Sequence, residues 1–333
     1  MKRIALTVFA IVVAVCIAAY FFVTKKPDID EGTRIFIPRN ATSEALRDTL
    51  CARLGESFGG NVFTIWKQVS GDIDKAKGSY VINPGEKAYS VANRLAKGRQ
   101  TPIKLTINVA RTLDDLTNAI ASRVEATPSE ISAAMDSVLL PEYASRAKFT
   151  AAILPDTYDI YWNDTPSHII KTLATWRDKF WNDERLGKAS AIGLNPVEVT
   201  TLASIVEEES NKKDEQPTIA RLYLNRLAKG MKLQADPTVK FALGDFALRR
   251  ITGKHLEVNS PYNTYKVNGL PPGPIRVPQK STIDAVLNSP MNDYLYMCAK
   301  EDFSGYHNFA QDYDTHLRNA KRYATALDKR GIH

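Results

Sequence analysis

Three consecutive glutamates, Glu207-Glu208-Glu209, are the residues of this chain best suited by type and place to move a proton. Ser210 follows them, then Lys212 and Lys213. The preceding segment predicts a helix, with Asn195 as N-cap, Pro196 at the first helical position and Glu198 at the third. Leu202, Ile205 and Val206 continue it at helical spacing. The glutamates then fall in the last turn, where the carbonyl end of the helix dipole disfavours carboxylates. At about 100° per residue, Glu209 lies within about 20° of Leu202 on the apolar face. Glu208 turns about 100° away from Glu209 and Glu207 about 160°. Apolar surroundings, adjacent like charges and a helix C-terminus all raise a carboxyl pKa. A carboxyl that keeps its proton near neutral pH is what a general acid for glycosidic cleavage needs. The same stretch also reads as a helix end whose glutamates bend out to water beside Lys212 and Lys213.

Other residues could build a cleft around such an acid. Tyr262-Asn263-Thr264-Tyr265 supplies aromatic faces, hydroxyls and an amide, the groups that grip sugars. Gln234 and Asp236 sit in a loop before Thr238, a candidate helix cap. Gly269-Leu270-Pro271-Pro272-Gly273 reads as a rigid turn. Asn225 is a further candidate contact, or else Asn225-Arg226 is structural, with Arg226 tying its helix to Asp236. The five histidines, His168, His255, His307, His316 and His333, lack HExxH spacing. Cys16, Cys51 and Cys298 form no CxxC pair. Cys51 and Cys298 read as two buried thiols, or as a pair if exported. No Gly-x-Ser-x-Gly elbow, P-loop or GxGxxG occurs, and no cofactor or metal is expected. The net charge of +7 is scattered rather than clustered, which argues against nucleic-acid binding.

The 333 residues, 44% hydrophobic and 24% charged, suit about two domains. Residues 1–23 predict a cytoplasmic tip and a transmembrane anchor. The uncharged run Ile4–Val23 spans about 30 Å as a helix, the thickness of a hydrocarbon core. Val15 before Cys16 does not fit a lipoprotein box, and Ala18-Ala19 is a weak cleavage signal. Lys2 and Arg3 favour a cytoplasmic N-terminus in the plasma (inner) membrane, with the rest of the chain extracytoplasmic. Residues 24–32 read as a polar linker, and 33–109 as an α+β module. Its elements are strands at 34–38, 78–82 and 102–109 and helices at 44–54 and 89–96. Residues 110–333 form a mixed α+β domain. Helices are expected at 113–124, 128–135, 166–181, 218–229, 282–288 and 316–329, with a strand at 295–300. The segment 153–164 reads as a structured loop.

Long motifs then carry a resemblance. LASIVEEES (202–210), YLNRLAKGMKLQADPTVKFALG (223–244) and SPYNTYKVNGLPPGPI (260–275) resemble the signature of the endolytic murein transglycosylases, the YceG-like family. LPDTY (154–158) and HNF (307–309) fit as well. GSYVINPGEKAYSVANRLAKG (78–98) resembles the LysM-like part of that family. The resemblance implies a membrane-anchored enzyme acting in the periplasm or outer wall space. It would cleave the β-1,4 bond between N-acetylmuramic acid and N-acetylglucosamine in peptidoglycan strands. The product is a 1,6-anhydro end, with no water consumed. It places the acid within IVEEES, at Glu209 by the helical face and the Glu-Ser pair, with Glu207 as second choice. Ordinary glycosidases need two carboxyl groups. Here the C6 hydroxyl of the sugar is its own nucleophile, and Glu209 serves as acid, then base. Asn263, Gln234 and Tyr265 are the expected substrate contacts, with Tyr262, Asn225 and Asp236 beside them. An anchored site reaches nascent strands, next to the peptidoglycan synthases. Two positions depart from the family: Thr150-Ala151 and Val109-Ala110 stand where Glu-Gly is common. Two other readings stay open: a non-catalytic peptidoglycan-binding protein, and a hydrolase with Asp236 or Asp156 as second carboxylate.

Overall fold

The computed structural model describes residues 2–108, 110–248 and 250–331. Its contacts divide the chain into two units. The first holds the chain up to Leu105 with Ala121–Thr127 and Tyr158–Thr165; the second holds Thr106–Ile120, Pro128–Thr157 and the chain from Pro166 on.

The first unit opens with α1 (Lys2–Thr24), an apolar helix long enough to cross a membrane and with no buried residue. Its C-terminal end is not a free tether. Asn61 donates to the Phe22 carbonyl at 3.1 Å, and Phe22 and Val23 pack on the unit's core. Beyond it come β1 (Thr33–Ile37), α2 (Ser43–Leu54), α3 (Glu56–Val69), α4 (Ile73–Ala76), β2 (Gly78–Ile82) and α5 (Ala88–Ala96). β1 and β2 pair antiparallel with Ile35 opposite Tyr80. Thr42, rather than Ser43, caps α2 by accepting from the Ala45 N–H at 3.2 Å. α3 was not among the expected helices, and its Gly59-Gly60 pair lowers its helix propensity. The glycine is there for close approach: a Cβ on Gly59 would stand 2.5 Å from the Leu50 carbonyl oxygen on α2. Leu50, Val62, Trp66, Tyr80, Val91 and Leu95 fill the core between the helices and the strand pair.

β3 (Ile103–Ile107) alternates buried and exposed residues and pairs with β4 (Asp156–Ile160). β4 replaces the loop expected across 153–164; buried Tyr158 and Ile160 alternate with exposed Thr157 and Asp159, too short a pattern to stand out among the polar residues around it. Val109, the expected end of a strand and half of the Val109-Ala110 departure, lies outside the described residues, as does His333.

The second unit contains α6 (Leu113–Ala121) and α7 (Pro128–Tyr143), which runs well past the expected Met135. After a 3₁₀ turn at Arg146–Ala152 come α8 (Pro166–Phe180), α9 (Asp183–Ala191), α10 (Pro196–Glu209), α11 (Gln216–Ala228) and α12 (Asp236–Leu243). α13 (Lys280–Leu287), β5 (Tyr296–Ala299), β6 (His307–Ala310) and α14 (Tyr313–Lys329) complete it. α12 begins at Asp236, so Thr238 is an interior residue and not the cap. α9 and β6 were not anticipated, both being short and polar in sequence. β5 and β6 pair antiparallel, with Cys298 opposite Asn308. α10 sits at the centre, packed by α11, α12 and α13. All three cysteines are free.

Candidate active site

The N-terminus of α10 is fixed by a capping box. Asn195 Oδ1 accepts from the N–H groups of Val197 and Glu198 at 2.9 and 3.0 Å, and Glu198 accepts from the Asn195 N–H at 2.8 Å. The helix is buried without interruption from Val199 to Val206, including Thr200, Thr201 and Ser204. Helical face therefore does not separate the three glutamates at its end; their partners do.

Glu207 and Glu208 are bridged by one guanidinium. Arg276 reaches Glu207 Oε1 at 3.0 Å and Glu208 Oε1 at 2.7 Å. Glu207 Oε2 also accepts from the Gln279 N–H and the Thr282 hydroxyl, each at 2.7 Å. Arg111 adds a contact at 3.2 Å to each oxygen of Glu208. The segment carrying Arg276 is docked by the Ile275 N–H, which donates to Ser204 Oγ at 3.0 Å. Just upstream, Gly273 lets the chain pass where a Cβ would meet the Ala147 carbonyl oxygen at 1.9 Å.

Among the described residues Glu209 has no such cation in contact. Its Oε1 accepts from the Tyr223 hydroxyl at 2.7 Å. Burial, with the nearby Asp236 charge adding to it, pushes the Glu209 carboxyl up to about 7. The Tyr223 bond and the charges of His307 and Lys240 oppose that rise without cancelling it. Burial and the Glu209 charge in turn raise Tyr223 well above the phenol range, so it stays a donor.

Glu209 opens into a cavity of about 520 Å³. Of the residues expected from sequence, Gln234, Asp236 and Tyr265 line it too. Tyr265 donates to Asp236 Oδ1 at 2.6 Å. Gln234 is held at φ +53°, and its Oε1 accepts from Arg226 at 2.5 Å. Arg226 spends its other donors on the Lys232 and Leu295 carbonyls, both at 2.9 Å. It thus ties the Gln234 loop to β5 and does not bind Asp236.

Three expected contacts lie elsewhere. Asn263 is fully buried, and its amide donates to the Leu256 and Val258 carbonyls at 2.8 Å while its oxygen accepts from the Tyr265 N–H at 3.1 Å. Those bonds make it a buttress of the loop that carries Tyr265. Asn225 donates to the carbonyls of Asn292 and Tyr294 at 2.8 and 3.1 Å. Tyr262 packs on Phe241 with ring centroids 4.6 Å apart. Asp156 is held by Lys280 at 2.5 Å and does not line the cavity.

Sequence reading missed Tyr223, Tyr296, His307 and His316 as cavity residues. Tyr223 repeats with the inward apolar residues of α11, so it reads as core. The HNF segment was legible only as a family motif. Among the described residues no group of three or more His, Cys, Asp or Glu is placed to hold a metal ion.

A proton-retaining carboxyl facing a cavity of phenols, imidazoles and one amide is suited to the role of a general acid, such as saccharide-cleaving enzymes use. Comparison with known proteins agrees with that class. The profile of the YceG-like family matches residues 35–322, and the chain belongs to that family. It is 28% identical over 275 residues to the endolytic murein transglycosylase of Bacillus subtilis (strain 168), covering 76% of this chain and 74% of that protein. Against the endolytic murein transglycosylase of Streptococcus pneumoniae serotype 2 it is 27% identical over 196 residues, 58% of this chain but only 35% of the longer relative. A crystal structure of a YceG-like protein from Listeria monocytogenes superposes with a TM-score of 0.56 at 26% identity, covering 87% of this chain and 99% of that one.

Proposed function

We propose that this protein is an endolytic peptidoglycan lytic transglycosylase whose acid is Glu209. The observation that carries the reading is the contrast among three adjacent carboxylates. Glu207 and Glu208 are neutralised by Arg276, whereas Glu209 is left in the cavity with its carboxyl pushed up to about 7. A carboxyl near 7 holds enough protonated form to donate and returns readily to a base.

Glu209 protonates the bridging oxygen between N-acetylmuramic acid and N-acetylglucosamine, and the C1–O bond breaks. The C6 hydroxyl of the same muramic acid closes on C1, and its proton passes to the Glu209 carboxylate. Bonds and protons balance without water, which yields the 1,6-anhydro end and restores the acid. Gln234, Tyr265 and Asp236 flank the strand. The Asp236 carboxylate favours the cationic sugar, and the Tyr265 hydroxyl holds that carboxylate in place. An ordinary hydrolase would use Asp236 as its second carboxyl group and give an end one water heavier.

The exposed apolar α1 supports a single-pass anchor, and Lys2 and Arg3 at its start favour an N-terminus in the cytoplasm with the catalytic unit outside. The β1–α2–α3–β2 arrangement supports a LysM-like, strand-binding module in residues 33–109. Held close to the membrane, the enzyme cuts nascent strands beside their synthases.

Full-length protein in detergent micelles, incubated with purified glycan strands and read by mass spectrometry, tests this. Anhydro-ended fragments are expected from the parent and from Glu207→Gln, and none from Glu209→Gln. Anhydro products that survive Glu209→Gln would move the acid to Glu207. Binding without any product would turn the reading to a non-catalytic peptidoglycan-binding protein.

A further inference from the structure

The segment that leaves Glu209 is stitched to β6 by two neighbouring contacts. Asp214 accepts from the Tyr306 hydroxyl at 3.1 Å, and Glu215 binds His307 twice. Glu215 Oε1 accepts from the His307 backbone N–H at 2.7 Å, and Oε2 lies 2.9 Å from His307 Nδ1. Ser210, the residue after Glu209, donates its hydroxyl to the same Oε2 at 3.2 Å. Glu215 is nearly inaccessible, its side chain 5% exposed against 15% for His307. A buried carboxylate beside Nδ1 fixes the tautomer with the proton on Nδ1. The other ring nitrogen, Nε2, is then the one free to act, and His307 lines the cavity that Glu209 opens into. This arrangement plays no part in the proton cycle described above. It is also an expensive one: a carboxyl group is kept out of water, and among the described residues an imidazole is its only titratable partner in contact.

We propose that Glu215 and His307 form a charge-setting pair for Glu209: Glu215 steadies a protonated His307, whose charge across the cavity stabilises the carboxylate that Glu209 becomes when it releases its proton. His307 is in this sense a positioning residue, acting through Glu209. The inference rests on Glu209 as the acid.

The other groups around Glu209 make the need plain. Tyr223 on α11 donates to it, but Asp236 on α12 presents a like charge. Lys240, one turn along α12, is the other cation acting on it. The Arg226 charge is engaged by Gln234 and two carbonyls, and Tyr265 is tied to Asp236. His316 on α14 is held neutral by burial and by Arg226. His307 is therefore the cavity imidazole paired with its own buried carboxyl group.

The test is a ¹³C NMR titration of full-length protein in micelles with glutamate labelled at the side-chain carboxyl. The Glu209 signal is assigned by its loss in Glu209→Gln. In His307→Gln the Glu209 midpoint should rise by about one pH unit, and in Glu215→Gln it should rise in the same direction. His307→Lys restores a cation and should return the midpoint to the parent value or below. The alkaline limb of kcat/KM should move with the midpoint in each variant. A purely structural role would lower the rate and leave both midpoint and limb in place, and that result in His307→Gln and Glu215→Gln would overturn the proposal. If the parent makes no anhydro product yet the midpoint moves, the charge-setting pair stands and the lytic reading falls.

Discussion

The Tyr223 hydroxyl lies 2.7 Å from Glu209 Oε1, and it is the hydrogen bond that most favours the ionised form of that carboxyl. It links the inward face of α11 to the last residue of α10. Tyr223→Phe keeps the ring and removes the bond. A hydrogen bond to a charged group is worth about 1.5–3 kcal/mol, so the Glu209 pKa should rise about one unit or more above its value of about 7. The alkaline limb of the pH–rate profile should move upward accordingly, with the rate below the limb falling about tenfold as the carboxylate becomes harder to form. A profile of unchanged shape would mean that Tyr223 acts only as packing.

Arg276 is the hub that keeps the other two glutamates out of the chemistry. It is nearly buried and bridges Glu207 and Glu208, each of which is also mostly covered. Arg276→Met leaves Glu207 with only neutral donors and Glu208 with Arg111 alone. Removing one partner of a buried ion pair typically costs about 3–5 kcal/mol. Chemical denaturation of the variant should show a loss of that order, and Arg276→Met combined with Glu207→Gln should recover part of it. No recovery in the double variant would show that the loss comes from packing of the arginine stem.

How much of this was legible in the residues depends on what kind of interaction each one makes. The capping box at Asn195 and Glu198 is a local signal, and it fixed the phase of α10 correctly. Glu209 stood out for its position in that phase, yet α10 is buried on every side, so the amphipathic argument does not explain it. What distinguishes Glu209 is the long-range arrival of Arg276 at its two neighbours, 68 and more residues along the chain. No spacing rule encodes that. Asn263 and Tyr265 illustrate the same limit at close range: two polar residues of one turn, one folded into the loop and one facing the cavity. α3, not expected from sequence, carries paired glycines of low helix propensity, and one of them serves a helix crossing.

Asn263 is expected to matter for stability and only indirectly for the substrate. Asn263→Ala strands two partly buried carbonyls and the Tyr265 N–H at once. Leaving buried polar groups unpaired costs about 1–3 kcal/mol each, with water entry recovering part, so a net loss of about 3 kcal/mol is expected. Thermal unfolding measures it. A variant of parental stability whose KM for glycan strands is raised would instead make Asn263 a direct contact.

Glu209 should also leave a mark on folding stability, opposite in sign to that of most acidic residues. Its carboxyl is raised from an ordinary 4.5 to about 7 in the folded protein. Between those values the folded chain binds more protons than the unfolded chain, so stability falls as pH rises through that window and levels off above it. At 1.36 kcal/mol per unit, the charge costs of the order of 3 kcal/mol at neutral pH and above. Glu209→Gln carries no charge and should be more stable than the parent by up to about that amount at pH 8, with the gain fading toward pH 4. Urea titrations of the two proteins at a series of pH values measure the difference. A gain that is the same at every pH would point to better packing of the amide, and the raised carboxyl on which the lytic reading rests would have to be given up. A gain confined to the window above pH 5 would show that this fold keeps a destabilising carboxylate at the end of its central helix, as an acid placed there for proton transfer requires.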